Sequence, residues 1–398
     1  MPQMLHLDPN EFLLDCFRLG RLVYASGFRP KHAISLWRGG TPVGLGVDAF
    51  FRSHGVWINH TTIATDSYVG IGHQAQVTVK NLEHLVQQVC SEDGLLIIDD
   101  VYESGNTINE VVDLLRKMAR ANTPRDIRVA TVHHKPERYA KLDLPLIALH
   151  EVAGDIWIDY PHELADLVDT NDAEDGRIKE KSEAIWDILR GEPTKPKLVE
   201  TSDPQLYVTA EELLLDSIRL GVNIAHDDWH PDFLIALWPG GVIAGLPVHE
   251  VYKYALKKKN PELKAPDHIS INTSPSNTSY QNEVVGLHYL EDNINKDDKI
   301  LIIDTTFRAG RLVNDVVIRL KETLRRNLDH EKIRVASVYY NPDDRSTWTV
   351  RPDITKPHYY LKEIRAEVVY PSSVYKLLDI AQLKTLNPPL WNILYGDD

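Results

Sequence analysis

Two stretches roughly half a chain apart carry the same ten-residue pattern, and this repeat restricts the fold more than any other feature of the sequence. Glu11-Phe-Leu-Leu-Asp-Cys-Phe-Arg-Leu-Gly20 and Glu212-Leu-Leu-Leu-Asp-Ser-Ile-Arg-Leu-Gly221 share seven identities in ten at an offset of 201. At the same offset Leu36-Trp-Arg-Gly-Gly40 matches Leu237-Trp-Pro-Gly-Gly241. At an offset of 205, Leu96-Ile-Ile-Asp99 matches Leu301-Ile-Ile-Asp304, and Trp186-Asp-Ile-Leu-Arg-Gly191 matches Trp391-Asn-Ile-Leu-Tyr-Gly396. A repeat this long is no solenoid unit; it predicts a duplicated domain. The length of 398 residues gives the same expectation of two domains. A Pro-, Lys- and Thr-rich stretch from Glu192 to Asp203 marks the boundary, giving domains at 1–192 and 207–398 with a linker at 193–206.

Each half alternates β-branched apolar runs with amphipathic segments. That is the pattern of the α/β class: a mostly parallel twisted sheet flanked by helices, Rossmann-like in each half. Residues 8–25 read as a helix with Leu13, Leu14, Phe17 and Leu22 on its buried side. Strands are expected at 33–37, 56–64, 127–132 and 144–150, and helices at 43–52 and 82–89. Thr65 to Gln74 is polar and contains glycine, so it reads as a mobile loop. The acidic run from Asp169 to Asp175 reads as a solvated loop.

The net charge of −14 excludes a general nucleic-acid binder, which needs a basic footprint. It leaves anionic substrates open, because a local turn and a metal ion bind phosphate on an acidic protein too. Two cysteines, Cys16 and Cys90, are too few for a disulfide framework or a structural zinc site, and read as buried free thiols in a reducing cytosol. Met1 to Asn10 lacks the regions of a signal peptide, and no apolar stretch approaches the ~18 residues of a membrane span. A cytoplasmic protein without membrane contact is the expectation.

The stretch from Leu95 to Thr107 carries the clearest chemistry. Leu95 to Ile98 reads as a buried parallel strand ending in two acids, Asp99 and Asp100. A small, hydroxyl-rich turn comes next, from Glu103 to Thr107. Then Ile108, Val111, Val112, Leu115 and Ala119 form one apolar helical stripe. The free N–H groups of such a turn and first helical turn suit a phosphate. The carboxylates suit ribose hydroxyls or a metal. This order of parts resembles the phosphoribosyl diphosphate (PRPP) signature of type I phosphoribosyltransferases. Over roughly residues 30–165 the first half resembles the bacterial xanthine-guanine phosphoribosyltransferases, with four blocks in the family's order. They are Ser35-Leu-Trp-Arg-Gly-Gly40, the Asp99–Thr107 signature, His133-His-Lys-Pro136 and Asp155-Ile-Trp-Ile-Asp-Tyr-Pro161.

The resemblance implies transfer of 5-phosphoribosyl from PRPP to a 6-oxopurine (hypoxanthine, guanine or xanthine), giving a purine mononucleotide and pyrophosphate, as in purine salvage. It gives Arg38, Gly39 and Gly40 to the pyrophosphate. Asp99 and Asp100 take the ribose, with Mg²⁺ held by Asp100, and Ser104, Gly105, Asn106 and Thr107 take the 5′-phosphate. Glu103 becomes the general base; it and Ser104 stand where the family usually has aspartate and threonine. Lys135 reads the exocyclic oxygen, Trp157 stacks on the purine and the Ile158 backbone meets its 2-position. Ser67 and Tyr68 fall in a flexible loop that covers the reaction. Taken singly, Arg38 reads as a surface arginine, Lys135 as a solvated lysine and Trp157 as core. The ordered set displaces those readings. His133 and His134 read as residues flanking a strand.

The second half keeps Asp304 but replaces Asp100 by Thr305, Glu103 by Arg308, Ser104 by Ala309, Thr107 by Leu312 and Arg38 by Pro239. It is expected to keep the fold without the activity. It would serve as an internal partner, so the expected assemblies are a pairing of the two domains within one chain and a homodimer. Arg308 and Arg311 leave an anionic effector open. Three rival functions stand beside the transferase. They are a non-catalytic PRPP- or nucleotide-sensing regulator, a PRPP synthetase, and a transferase for a different nucleobase.

Overall fold

The computed structural model describes residues 3–68, 76–80, 82–138, 144–259, 264–272, 287–324, 328–343 and 353–396. The chain forms two compact units, neither continuous in sequence. The first comprises Met1–Leu5, Asn10–Ile158 and Ser372–Asp398; the second comprises His6–Pro9 and Asp159–Pro371. The division at 193–206 separates the sequence repeats, and the compact units are cut elsewhere.

After strand β1 (Met4–His6), the first unit contains helix α1 (Pro9–Ala25), strand β2 (His32–Trp37), helix α2 (Gly40–Ser53) and strands β3 (Asn59–Tyr68) and β4 (Gln76–Lys80). Next come helix α3 (Glu83–Gln88), strand β5 (Gly94–Tyr102), helix α4 (Asn106–Ala119) and strands β6 (Asp126–His134) and β7 (Leu146–Glu151). The sheet order is β4-β3-β2-β5-β6-β7, parallel except for the β3–β4 pair. All six residues of β2 are buried, and Leu95 to Ile98 of β5 have no exposed surface, as strands covered on both faces require. Ile34, Leu36, Leu95 and Ile97 pack with the predicted α4 stripe of Ile108, Val111, Val112, Leu115 and Ala119. Each such side chain contributes about 1.5–3 kcal/mol on burial.

Several expectations change. The buried face of α1 carries Phe12, Leu14, Cys16, Phe17, Leu19 and Val23, whereas Leu22 is largely exposed. Strand β3 continues to Tyr68, so the backbone of Ser67 and Tyr68 is strand rather than loop; their side chains and residues 69–75 lie outside the described residues. Pairing with β4 holds the polar end of β3 in the sheet, a tertiary effect that local polarity does not announce. Strand β5 runs through both acids to Tyr102, and β6 includes His133 and His134. Cys16 is buried, but Cys90 is exposed.

Strand β8 (Trp157–Asp159) pairs with β1. The second unit then holds helices α5 (Gly176–Lys181) and α6 (Glu183–Arg190), strands β9 (Lys197–Val199) and β10 (Gln205–Tyr207), helix α7 (Ala210–Ala225), strand β11 (Phe233–Trp238), helix α8 (Gly241–Lys259) and strand β12 (Asp267–Asn272). It continues with helix α9 (His288–Asn293), strand β13 (Ile300–Arg308), helix α10 (Arg311–Leu324) and strands β14 (Ile333–Asn341), β15 (Tyr359–Ile364) and β16 (Glu367–Val369). Its large sheet, β12-β11-β13-β14-β15-β9, repeats the central order of the first. Asp175 is no solvated acid: it is buried, paired with Lys258 at 2.6 Å, and accepts from the Tyr254 hydroxyl.

Helices α11 (Val374–Leu377), α12 (Ile380–Leu386) and α13 (Pro388–Tyr395) belong to the first unit. Here Arg21 of α1 donates to the carbonyls of Asn392 and Gly396, at 3.4 and 3.2 Å. A cation at those last carbonyls complements the helix dipole. In the second unit α6 packs on α7, and Asn223 holds both the N–H and the carbonyl of Thr194 at 2.7 Å. Helices α6 and α13 carry the matching Trp-x-Ile-Leu repeats, and α1 and α7 carry the matching opening repeats. Each half of the sequence therefore sends its terminal helices to the unit built on the other half's sheet.

Candidate active site

The candidate site lies at the carboxyl end of β5. Asp99 to Ile108 line a recess of about 200 Å³. Its floor is set by Gly105, whose φ of +76° is the left-handed conformation that glycine adopts freely. A side chain there would also meet the Tyr102 hydroxyl at 2.1 Å. The turn passes directly into α4, whose start has no side-chain cap and no acid in its first turn. The Asn106 N–H reaches Ser104 Oγ at 3.4 Å, and fourteen residues of helix start at the recess, which suits a dianion.

Asp99 and Asp100 are half-buried neighbours. Burial and the charge of Asp100 push the Asp99 carboxyl well above its usual range. Burial raises Asp100 as well, opposed by its hydrogen bonds and by the field of Arg38. Asp100 accepts the Val101 N–H at 2.8 Å, and Asp99 accepts that of Asp100 at 3.1 Å. The Arg38–Gly40 loop meets these acids directly. A β-carbon on Gly39 would stand 2.0 Å from Asp100 Oδ2, and one on Gly40 would stand 2.5 Å from the Ile98 carbonyl. Only glycine allows that approach. The Trp37–Arg38 peptide bond is cis, as is Trp238–Pro239 in the second unit.

Lys135 is not solvated. It is 6% exposed, its N–H donates to the Tyr102 carbonyl at 2.9 Å, and its ammonium pairs with Glu103 Oε1 at 3.3 Å. A buried cation therefore faces a half-exposed carboxylate, Glu103, that lines the recess. Next to them, burial and His150 press the His133 imidazole down to about 4, so it is neutral at pH 7. Trp157 is 46% exposed rather than core, while the Ile158 side chain is buried. The segment leading to Trp157 is tied beside Lys135: Val152 N–H donates to the His134 carbonyl and Gly154 N–H to Glu137. The structure thus gathers Asp99–Thr107, Gly39, Gly40 and Lys135 and brings the field of Arg38 onto Asp100. Trp157 joins them only through this tether. Tyr102, under the turn, escapes sequence reasoning; its place as the last residue of β5, before Glu103, is the available signal.

The second unit repeats the scaffold without the groups. Gly310 has φ +68° over Phe307, and Gly240 and Gly241 press on Thr305 and Ile303. Asp304 has lost its acidic neighbour, and burial alone lifts it to about 7. Arg308 pairs with Glu367 at 3.2 Å. Among the described residues there is no cluster of three or more His, Cys, Asp or Glu side chains able to hold a metal by themselves, and no helix is long and apolar enough to cross a membrane.

No protein-family model and no curated protein sequence matches this chain. Solved structures do. A hypothetical protein from Neisseria gonorrhoeae, solved with bound ppGpp, is 21% identical over 45% of this chain and 97% of its own, with a TM-score of 0.35. A purine phosphoribosyltransferase from Pyrococcus horikoshii is 16% identical over 42% of this chain and 94% of its own (TM-score 0.29). The Helicobacter pylori xanthine-guanine-hypoxanthine phosphoribosyltransferase is 19% identical over 40% and 92% (TM-score 0.31). Over less than half of its length, at low identity, the chain is similar to solved purine phosphoribosyltransferases.

Proposed function

We propose that this protein is a purine phosphoribosyltransferase with one active centre, in the first unit, acting on a 6-oxopurine and PRPP. The observation that carries the reading is the pair Glu103–Lys135, 3.3 Å apart, beside a recess at the start of a helix with no acid in its first turn. An acceptor for a purine proton and a donor for a purine oxygen stand next to a seat for a phosphate.

In the reaction, the bond from C1′ to the diphosphate oxygen breaks as a bond to a purine nitrogen forms. Glu103 takes the proton that the nitrogen releases. Lys135 donates to the exocyclic oxygen, and Trp157 covers one face of the ring. The N–H groups at the start of α4, with Ser104 and Thr107, hold the 5′-phosphate. Arg38 and the backbone of Gly39 and Gly40 receive the departing pyrophosphate, whose charge grows in the transition state.

The acids fit Mg²⁺: two adjacent, half-buried carboxylates repel each other, and a cation relieves that repulsion. Asp100, with Asp99 beside it, would hold the ion together with substrate oxygens, as Mg²⁺ prefers few protein ligands. When bound, the ion supplies positive charge at the pyrophosphate. The second unit has Thr305 and Arg308 where this chemistry needs carboxylates, and the reading gives it no turnover.

The deciding experiment incubates the protein with PRPP, Mg²⁺ and hypoxanthine, guanine or xanthine, and measures mononucleotide and pyrophosphate. Turnover with at least one of them is expected. No turnover with any purine, with PRPP still bound tightly, would make the protein a sensor. AMP from ribose 5-phosphate and ATP would make it a synthetase.

A further inference from the structure

The second unit departs from the first at one place in a way that leaves a recess. At the offset of 205 that aligns Trp186–Gly191 with Trp391–Gly396, Thr170 falls where the first unit has Tyr375, and Arg177 where it has Gln382. In the first unit α11, which carries Tyr375, packs on α2. In the second unit the side chain at this place is the smaller, exposed Thr170. Helix α8 is also longer than its counterpart, 19 residues against the 14 of α2. At the offset of 201 that aligns the two helix starts, α2 ends at the equivalent of Tyr254, so Leu256 and Lys257 stand on added helix.

The recess measures about 470 Å³, more than twice the volume of the one at Asp99–Ile108. Lys253, Leu256 and Lys257 line it from one face of α8, at i, i+3 and i+4. Val168, Thr170 and Arg177 line it from the segment before α6. Three cations thus share one recess on a chain of net charge −14. The acid among the lining residues, Asp169, accepts the Asn171 N–H at 2.9 Å.

Both ends of the lining segment are tied to α8. Glu250 is buried and accepts the N–H groups of Leu164 and Ala165, at 3.2 and 2.9 Å. Farther along, Lys258 donates to the Asp172 carbonyl at 2.7 Å and pairs with Asp175 at 2.6 Å. A recess braced this way needs little ordering to receive a ligand. Among the described residues, Lys253 gives one N–H to Glu250 Oε1 at 3.0 Å and Lys257 gives one to the Ala165 carbonyl at 2.7 Å. An ammonium has three donors, so both lysines keep donors for a ligand.

We infer that this recess binds a small organic phosphate, a phosphate ester on an apolar or aromatic body. Arg177, Lys253 and Lys257 meet the phosphate, the guanidinium fork taking two of its oxygens. Val168 and Leu256 offer the apolar surface for the rest. The volume falls in the range of about 300–1,000 Å³ that small-molecule sites occupy. The site shares no lining residue with the candidate active site. It gives the second half a ligand of its own, and it does not depend on the transferase reading.

The test uses the full-length chain, with AMP as the probe and adenosine and inorganic phosphate as its separated parts. AMP should slow amide hydrogen exchange at residues 164–172, with a Kd at least about 10-fold below that of adenosine or of phosphate. Arg177→Gln and Lys257→Gln should each raise the AMP Kd about 10-fold. Thr170→Tyr restores the bulk that the first unit has at this place and should abolish the protection, with an unchanged melting temperature. Lys195→Gln, an exposed change in the linker, should leave the Kd as it is. Exchange at residues 99–108, read in the same experiment, reports the candidate active site separately. No protection of 164–172 by AMP at about 10 mM overturns the inference. So does protection that Arg177→Gln, Lys257→Gln and Thr170→Tyr all leave intact. Equal protection by adenosine would remove the phosphate from the assignment, and equal protection by inorganic phosphate would remove the apolar body; either result overturns it.

Discussion

The Lys135 ammonium stands 3.3 Å from Glu103 Oε1, and its side chain is 8% exposed. Among the described residues Glu103 is the carboxylate paired with this enclosed cation, an arrangement that would suit a ligand bringing its own acceptor. Replacing Lys135 by Met should lower kcat/KM for the purine by about 10²-fold or more, while PRPP binding stays nearly unchanged. Glu103→Gln keeps the size and loses the base; kcat should fall by about 10²–10⁴-fold. Steady-state kinetics with each substrate varied in turn separates the two.

Asp99 and Asp100 are adjacent; burial raises the proton affinity of both, and the charge of Asp100 raises that of Asp99 further. A cation that both neutralise should be required for turnover. Removing divalent metal with a chelator should abolish activity, and Mg²⁺ should restore it. Asp100→Asn should cost about 10²-fold or more in kcat/KM, whereas Asp304→Asn should leave turnover within about 2-fold. A large loss on changing Asp304 would contradict a single active centre.

Gly105 combines a φ of +76° with a 2.1 Å approach of any β-carbon to the Tyr102 hydroxyl. Gly105→Ala should destabilise the first unit by about 1–3 kcal/mol, read by chemical denaturation, and should weaken PRPP binding. Tyr102→Phe should be tolerated in the fold, because Phe307 occupies the same place beneath Gly310.

Asp304 supplies a pH test of stability. Burial lifts its folded-state pKa to about 7 from an ordinary value of 3.8. The folded protein therefore binds the proton more tightly than the unfolded chain. That stabilisation is complete below about pH 4 and is lost as pH rises through 7. Asp304→Asn should raise the melting temperature at pH 8, by on the order of 1–3 kcal/mol of stability after allowing for partial exposure, and the gain should shrink toward pH 5. A gain that is equal at both pH values would show that the carboxylate is not the cause.

Local pattern makes the sheet legible where burial and pattern agree. The Leu95–Ile98 run and the α4 stripe sit where periodicity places them, because a parallel strand covered on both faces must be uniformly apolar. Lys135 and Glu103 are each singled out through a family resemblance, but neither their pairing nor the burial of Lys135 is visible in a sequence that surrounds Lys135 with His133, His134 and Pro136. The strand end at Ser67 and Tyr68 reads as a loop because its order comes from a neighbouring strand. The exchange of terminal helices is hidden for a deeper reason. The repeat of Trp186–Gly191 in Trp391–Gly396 shows that two segments are alike, and likeness is silent about which surface each one covers.

That exchange also sets a timetable. A ribosome releases Asn10 to Ile158 first, then the whole second sheet, and only then the segment that begins at Ser372. At roughly 5–20 residues per second the nascent first unit waits roughly 10–40 s for its last helices. Throughout that interval the face of α1 that receives α13 and the face of α2 that receives α11 are open to water and to chaperones. The second unit has no such delay, since its borrowed helices at 176–190 emerge before its sheet. Synthesis from the amino terminus therefore finishes the two units in the reverse of their order along the gene, and a ribosome that stalls before codon 372 leaves the candidate active site on an unfinished scaffold.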